Sequence, residues 1–368
     1  KTWNKDRTFF LLGSNDGYSR KDFRDPFIFE SESGKYHMIV STKKDGIGVL
    51  AEYTSTDLKA WKHSGVFMPM HWGADRFYEC TDVFKMGDWW YLVYSDQNAV
   101  SRKVCYFKGS TLEELKQMTA APTFPDNKEG VLDSRAFYAG KTASNGTDRY
   151  IWGWCPTRAG NDNTAVGAAP AEPEWAGNLV MHKIIQHEDG TLSLGSVDGI
   201  LNKYTNNTLK VMAQSETGVA ESNDNYTLSG DAYVLFNRLN IHNKLTFTVT
   251  ASSNEDIFGI SLARGTDSKK YYSLIINPED NNSNRKINFE QKGKEGIGFI
   301  AGIDGYKFPV PADNIYHVTI CTDNSVCTVY INDNVAYTNR IYGIQKNCWS
   351  LDSYEGSIQV SNIKVSYY

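Results

Sequence analysis

Long apolar runs are missing from this sequence, and no stretch is long enough to cross a bilayer as a helix. A large excess of either charge is missing as well, because the sequence has 38 Lys and Arg residues and 43 Asp and Glu residues, which gives a net charge of −5. A surface that binds nucleic acid needs Lys and Arg clustered on one face, and the sequence has no such cluster. We therefore predict no membrane span and no nucleic-acid partner.

Residues that commonly bind metal ions or form disulfides are also few. The sequence has six cysteines without a Cys-x-x-Cys pair, and its seven histidines are scattered. This spacing argues against a zinc site, so we predict neither a bound metal nor a cofactor. Cys321 and Cys327 flank the turn Thr322–Val326 and could pair across a hairpin. Two unpaired, buried thiols are the favoured interpretation.

Aromatic residues, by contrast, are plentiful, since the 368 residues include 22 Tyr, 17 Phe and 9 Trp. A chain of this length exceeds one small core and predicts two domains. An aromatic-rich, mildly acidic chain fits a neutral polar ligand such as a sugar, although many all-β cores are rich in aromatic residues too.

A unit of three strands recurs three times in the first part of the chain. Each unit has a first strand, a turn that contains glycine, a second strand dense in aromatic residues, and a third strand. Asp25, Asp82 and Asp133 stand at similar points, which gives a period of about 50 to 57 residues, close to that of propeller blades. The predicted strands are Asp25–Phe29, Tyr36–Ser41 and Gly48–Thr54; Thr81–Phe84, Trp89–Ser95 and Lys103–Lys108; and Arg135–Ala139, Tyr150–Trp154 and Asn178–His187.

The first residues look like the tail of such a unit, because Lys1–Asp6 matches Leu58–His63. Three units and a remnant cannot close a ring, since propellers use about four to eight blades. We expect the front of the propeller to be missing from this chain, and the missing N-terminal blades to lie on a longer precursor.

The second part of the chain is also all-β in character. Polar residues become dense after Gly199, and short alternating strands separated by turn clusters follow from Ala232 to Val365. Such alternation is typical of a β-sandwich. We predict an all-β protein with a propeller domain at 1–195, a linker at 196–225 and a β-sandwich at 226–368.

Two short motifs in adjacent repeats carry the chemistry, namely Arg24-Asp25-Pro26 and Glu79-Cys80. At this spacing they resemble glycoside hydrolase family 32, the invertases, inulinases and levanases. The likeness covers essentially the whole chain and implies a five-bladed β-propeller followed by a β-sandwich. Further matches in the family's order are Phe137-Tyr138-Ala139, Ile151-Trp152-Gly153-Trp154, and Trp175-Ala176-Gly177-Asn178-Leu179 leading to Asp189-Gly190-Thr191-Leu192.

The resemblance implies a role for five residues of these motifs. Glu79 would be the general acid/base that protonates the leaving glycosidic oxygen, and Asp25 would bind two hydroxyls of the fructosyl ring. Arg24 would lie near both acids, and Tyr138 and Trp154 would line the sugar pocket. The physics agrees with such a pair, because two nearby carboxylates cannot both ionise freely and one keeps its proton into the range useful for an acid.

The sequence departs from the family pattern at the nucleophile. In the family this is an Asp in the first blade, about 5 Å from the acid in a retaining mechanism, and no matching segment is present here. Asp16, in Asn15-Asp16-Gly17, is typical of a turn. The family's Asp before Phe-Tyr-Ala is also replaced, by Ala136. We therefore expect this chain to lack the nucleophile and, alone, to be unable to complete hydrolysis.

The same residues have plainer interpretations without the family likeness. An Asp-Pro at a strand start is usually a turn former, and a glutamate is mostly a solvated surface residue. The matched placement of Asp25 and Glu79 in adjacent units favours the functional interpretation. Asp133 either contacts substrate, as we predict, or caps a turn.

The predicted function is that of a glycoside hydrolase with an oligo- or polysaccharide substrate. It would cleave β-fructosidic bonds in fructans or sucrose-like sugars by a retaining two-carboxylate mechanism. The alternatives are a family 43-like arabinosidase or xylosidase, and a carbohydrate-binding propeller without catalysis. Glu79-Cys80, where a Glu-Gly-Pro-like acid motif would be expected, argues against family 43. We expect an extracellular or periplasmic location, although no signal peptide is found at Lys1.

Overall fold

The computed structural model describes residues 2–70, 78–96, 103–118, 130–134, 136–157, 177–265, 271–280, 287–292 and 309–368. Within these residues nearly all regular structure is β-strand. The exceptions are a 3-10 turn at Gly13–Asp16 and two short helices, α1 (Leu112–Lys116) and α2 (Asp198–Leu201). Across the described part of the chain, no helix is long and apolar enough to cross a membrane. The predicted all-β class is confirmed.

Three antiparallel meander sheets follow one another along the first part of the chain. Their neighbouring strands are consecutive in sequence, as in the blades of a propeller. The sequence predicted three strands in each; β4 and β11 are additional fourth strands. The first sheet holds β1 (Phe23–Glu30), β2 (Tyr36–Lys44), β3 (Ile47–Ser55) and β4 (Lys62–Pro69); the second holds β5 (Tyr78–Met86), β6 (Trp89–Asp96) and β7 (Val104–Gly109); the third holds β8 (Tyr138–Ser144), β9 (Arg149–Pro156), β10 (Gly177–Gln186) and β11 (Leu192–Gly195).

Two larger antiparallel sheets make up the rest of the chain. One has the order β14-β15-β25-β17-β21-β22-β23 with β12 paired to β25, and the other has the order β13-β16-β24-β18-β19-β20. The strands are β12 (Asn206–Asn207), β13 (Val211–Gln214), β14 (Val219–Ser222), β15 (Asn225–Ser229), β16 (Ala232–Phe236), β17 (His242–Ala251), β18 (Ile257–Arg264), β19 (Tyr271–Ile276), β20 (Ile287–Lys292), β21 (Ile315–Asp323), β22 (Val326–Ile331), β23 (Val335–Arg340), β24 (Cys348–Glu355) and β25 (Ser357–Tyr367).

These two sheets pack face to face through aromatic side chains, as the sandwich prediction requires. Trp349 of β24 stacks against Phe247 of β17 with ring centroids 6.1 Å apart, and Phe258 of β18 meets Tyr316 of β21 edge-on at 5.1 Å. Strand β17 shows why the sequence folds this way, because its burial alternates strictly between half-buried and buried side chains. Period-two alternation places one face of a strand in the core.

The hairpin β21–β22 decides the pairing of two cysteines. Cys321 lies opposite Thr328, and Cys327 lies opposite Thr322, so the two thiols project from opposite faces of the sheet. Both are free, and burial raises the pKa of Cys321 to about 12. The favoured interpretation of two unpaired thiols is confirmed.

The contacts within the chain define two compact units, Lys1–Thr123 and Phe124–Tyr368. The first unit contains the first two meander sheets, and the second contains the third meander sheet together with the sandwich. Strands β12, β13 and β14 lie in the segment predicted as a linker, and each pairs with a strand of the sandwich. The predicted domain boundaries at 195 and 226 stay predictions.

A buried ionic group joins the first sheet to helix α1. Glu52 of β3 is 6% exposed and accepts a 2.7 Å hydrogen bond from His37 on β2. Lys116 of α1 lies 3.1 Å from the same carboxylate and over the ring of Phe67. Burial alone would raise the pKa of Glu52, but His37 and Lys116 lower it overall. The ionised form of Glu52 is therefore the one that the fold stabilises.

We expect Glu52→Gln to lower the free energy of unfolding by about 3 kcal/mol at pH 7, because it removes the buried carboxylate that pairs with the half-buried Lys116. Since the pKa of Glu52 is lowered in the folded state, this loss should be full above the unfolded pKa and should shrink as the pH falls below about 4. Urea unfolding at several pH values measures it. Glu113→Gln, which removes an exposed carboxylate 3.6 Å from Lys116, is the matched control and should change stability by less than about 0.5 kcal/mol. An equal effect of both substitutions would contradict the assignment.

Candidate active site

A β-bulge interrupts the first strand of each meander sheet. A bulge opposes two residues on one strand to one on its partner, and it re-aims the side chains around it. Bulges are common next to active sites. Because one occurs in the first strand of every meander sheet, the three bulges mark equivalent points in the three sheets. The register shifts lie between Arg24 and Phe27 in β1, between Glu79 and Asp82 in β5, and between Tyr138 and Lys141 in β8.

One residue within each bulge adopts a left-handed backbone conformation. The φ angles are +54° for Asp25, +53° for Cys80 and +56° for Ala139. For residues other than glycine this conformation costs about 1 to 3 kcal/mol and persists only where the surroundings impose it. The structure thus aligns Asp25 with Cys80 and Ala139. Our alignment of Asp25 with Asp82 and Asp133 from the sequence period is wrong, because the period was set on acids and not on backbone geometry.

The first two bulges are hydrogen-bonded to each other. Asp25 accepts the backbone N–H of Cys80 on its Oδ2 atom at 2.9 Å. The residue that precedes Cys80 is Glu79, which is 7% exposed. The side chain of Asp25, from the first motif, therefore binds the backbone of the Glu79-Cys80 motif. Strand β1 lies beside β5 in the same compact unit. The contact places the Asp25 carboxylate against the residue that directly follows Glu79.

Arg24 connects the same two strands through its guanidinium. Its Nη2 atom donates to Glu79 Oε1 at 3.0 Å, and its Nη1 atom donates to Asp22 Oδ1 at 2.9 Å. Burial alone would lower the pKa of Arg24, but these two carboxylates raise it overall. Asp22 was not singled out in the sequence. Its spacing of two residues from Arg24 on an extended chain, which puts both side chains on one side, is the signal that could have found it.

The predicted pocket residues Tyr138 and Trp154 also come together, in the second compact unit. They are cross-strand partners, and their rings meet edge-on with centroids 5.4 Å apart. Tyr138 is only 1% exposed, whereas Trp154 keeps exposed surface. Trp154 can therefore offer a face to a sugar while Tyr138 supports it from below.

The close approach of β8 and β9 depends on Gly153, which lies beside Trp154. A Cβ atom at this position would lie 2.7 Å from the ring of Phe137 and from the carbonyl oxygen of Tyr138. No side chain fits at that distance, so the glycine permits the packing that brings Tyr138 and Trp154 together.

Asp133 occupies a different environment from the other candidates. Its side chain has no exposed surface, and its Oδ1 atom accepts the backbone N–H groups of Ser134 and Thr338 at 2.6 and 2.8 Å. Its Oδ2 atom accepts from the Thr338 hydroxyl at 2.6 Å and lies 3.1 Å from His182 Nε2. His182 in turn contacts the Tyr330 hydroxyl through Nδ1 at 2.9 Å. This geometry favours a structural role for Asp133, tying β10 to β22 and β23, over the predicted contact with substrate.

Some features named from the sequence fall outside the described residues, among them Trp175 and Ala176 of the fifth motif. Among the residues that the structure describes, no group of three or more His, Cys, Asp or Glu side chains could hold a metal ion.

Comparison with known protein families gives two adjoining matches. Residues 1–195 match the model of the glycosyl hydrolases family 32 N-terminal domain, and residues 190–365 match that of the GH32, BT1760-like, C-terminal domain. The chain belongs to glycosyl hydrolase family 32. The resemblance inferred from Arg24-Asp25-Pro26 and Glu79-Cys80 is thereby confirmed, and the family 43 alternative is excluded.

Individual relatives agree with this assignment. The sucrose-6-phosphate hydrolase of Escherichia coli is 24% identical over 329 residues, which cover 87% of this chain and 61% of that protein. Fructan 1-exohydrolase IIa from Cichorium intybus matches 96% of this chain and 72% of its own with a TM-score of 0.66 and 15% identity. A variant of that enzyme in complex with 1-kestose matches with a TM-score of 0.64 and 14% identity. This match covers 95% of this chain and 72% of the variant's chain. The chain thus spans about three fifths of the curated relative's length.

The structural matches also establish the fold. The architecture of family 32, an all-β propeller followed by a β-sandwich, was predicted from the sequence and is confirmed. The number of five blades stays a prediction.

Because the buried Asp133 carboxylate accepts three hydrogen bonds and lies 3.1 Å from His182, we expect Asp133→Asn to lower the free energy of unfolding by about 2 to 4 kcal/mol. The amide would turn donor hydrogens toward groups that are themselves donors. Thermal unfolding followed by circular dichroism measures the loss. At temperatures where the variant is folded, its affinity for a fructose-containing ligand should match that of the original protein. A stable variant with weakened binding would instead support the role predicted from the sequence.

Proposed function

We propose that this protein is a glycoside hydrolase that cleaves β-fructosidic bonds in sucrose-like sugars or fructans by a retaining mechanism with two carboxylates. The observation that carries the proposal is the contact between the first two bulges, where Asp25 binds the backbone of Cys80 and Arg24 binds Glu79. This contact holds two carboxyl groups of different strands in one small region of a single compact unit. Family membership supports the same reaction class.

In this proposal Glu79 is the general acid. Its Oε1 atom accepts from Arg24 Nη2, and its Oε2 atom carries the proton that is delivered to the leaving glycosidic oxygen. The near-complete burial of Glu79 keeps water away from that proton. After the leaving group departs, the same carboxylate accepts a proton from the attacking water.

In the same proposal Asp25 binds the sugar ring and takes no part in the proton transfer. A carboxylate offers about four lone-pair positions on two oxygens, and the Cys80 N–H takes only one of them. The others suit two hydroxyls of a fructosyl ring, whose hydrogen bonds strengthen as positive charge develops on the ring. The left-handed backbone at Asp25 fixes the carboxylate before substrate arrives.

Retaining hydrolysis also needs a nucleophilic carboxylate about 5 Å from the acid. Asp16 does not suit this role, because its carboxylate accepts from the Tyr53 hydroxyl at 2.8 Å and lies 3.8 Å from His63 on the first sheet. We therefore assign the nucleophile to no residue of this sequence, as the motif analysis also predicts. In the second compact unit, Trp154 keeps exposed aromatic surface of the kind that packs against sugar rings, and Tyr138 meets it edge-on.

The substrate class follows from the chemistry of a fructosyl ring. The names of the relatives include both a sucrose-6-phosphate hydrolase and a fructan exohydrolase with 1-kestose, and both substrates contain that ring. An extracellular or periplasmic location belongs to the same proposal, since a polymeric fructan would meet the enzyme outside the cytoplasm.

The test is Glu79→Gln in the full-length protein. We expect kcat on sucrose, inulin or levan to fall by about a hundred- to ten-thousand-fold, because the amide cannot donate the proton. An activated aryl β-fructofuranoside, whose leaving group needs little protonation, should lose much less. Initial rates of fructose or phenol release measure both.

Glu113→Gln, at an exposed glutamate of α1, is the matched control and should leave both rates unchanged. Equal losses on natural and activated substrates would show that Glu79 positions the sugar and does not act as the acid. If the full-length protein without any substitution binds fructan but releases no fructose, the carbohydrate-binding alternative is favoured.

A further inference from the structure

Asp22 is held in place from several sides just before strand β1 begins. Its backbone N–H donates to Ser19 Oγ at 3.1 Å, and its carbonyl oxygen accepts from Thr42 Oγ1 at 2.6 Å. Its Oδ1 atom accepts from Arg24 Nη1 at 2.9 Å, and Lys43 Nζ lies 3.9 Å from Oδ2. The backbone contacts do not involve the carboxylate, so the side chain can be changed without removing them.

The guanidinium of Arg24 is therefore shared between two carboxylates. One nitrogen binds Asp22, and the other binds Glu79. Two bonds from different nitrogens orient the plane of the guanidinium relative to both carboxylates. Asp22 thus takes part in setting the direction of the Arg24–Glu79 bond.

The charges matter as much as the geometry. A cation beside a carboxyl group favours the ionised carboxylate, which opposes the proposed task of Glu79, because a general acid has to hold its proton. Asp22 places a negative charge on the far side of the same guanidinium and offsets that effect. The strands packed against β5, and β5 itself, carry further charged or titratable groups, namely Asp25, Glu30, His37, Lys43, Lys44, Glu52, Asp82, Lys85 and Asp96.

We propose that Asp22 is a positioning residue of this site. Its carboxylate orients Arg24 against Glu79 and offsets the positive charge that Arg24 places beside the Glu79 carboxyl group. This inference rests on the proposed role of Glu79 as general acid, and nothing in the reaction requires Asp22 to touch the substrate.

The experiment compares Asp22→Asn and Asp22→Ala in the full-length protein. The carbon-13 carboxyl resonance of Glu79, assigned by its absence in Glu79→Gln, is followed against pH in protein labelled at glutamate. We expect Asp22→Asn, which keeps the shape but removes the charge, to move the titration midpoint of that resonance down by about 0.5 to 1 pH unit. The alkaline limb of kcat/KM should move in the same direction. Asp22→Ala should in addition lower kcat about ten-fold while KM changes less than about three-fold.

Asp45→Asn is the matched control, because it removes the same charge from an exposed turn between β2 and β3. It should leave the midpoint and kcat unchanged, and Asp22→Glu should restore most of kcat. A midpoint and a pH profile unaffected by Asp22→Asn and Asp22→Ala would overturn the proposal and leave Asp22 as a support of strand β1. If Asp22→Ala fails to fold, the isosteric Asp22→Asn decides. The resonance needs no turnover, so this result is independent of whether Glu79 proves to be the acid.

Discussion

The hydrogen bond from the Cys80 backbone to Asp25 is the contact on which the candidate site depends. Both residues occupy a left-handed conformation in a bulge, and each such conformation carries a cost that the surroundings must offset. The bond gives the Cys80 N–H a side-chain acceptor within one bulge, and that acceptor belongs to a residue of the other bulge. Two local distortions therefore stabilise one another, and Arg24 and Glu79 are brought into contact as a result.

A second polar connection organises the other compact unit. Asp133 and His182 come from the segment around the third meander sheet, and Thr338 and Arg340 come from β23 of the sandwich. Arg340 is 4% exposed and donates to the carbonyl oxygens of Cys155 and Pro156, at 2.7 and 2.9 Å. These carbonyls directly follow Trp154 in strand β9. The sandwich thus holds the strand that presents Trp154 through buried hydrogen bonds, which are costly to break because their partners cannot reach water.

The sequence was informative where the signal is local. The short alternating strands and turn clusters after Ala232 predicted a sandwich, and the structure has two antiparallel sheets there. Arg24, Asp25 and Glu79 were found because their two short motifs lie in adjacent repeats at a spacing typical of the family. The bulges were not predicted, since Asp, Cys and Ala at the left-handed position share no compositional signal. Asp133 was assigned to substrate because its partner Thr338 lies 205 positions away, and no local pattern reports so distant a contact.

The repeated bulge has a consequence for how such a protein can diversify. Its backbone shape recurs with aspartate, cysteine and alanine at the left-handed position, so the shape is set by strand register and tolerates different side chains. After duplication of a blade, mutation at these points can exchange a carboxylate for a thiol or a methyl group without rebuilding the sheet. The residue before each point also differs between the sheets, being arginine, glutamate and tyrosine. The repeated backbone shape thus offers equivalent positions at which side chains of different chemistry can be exchanged while the strand register is kept.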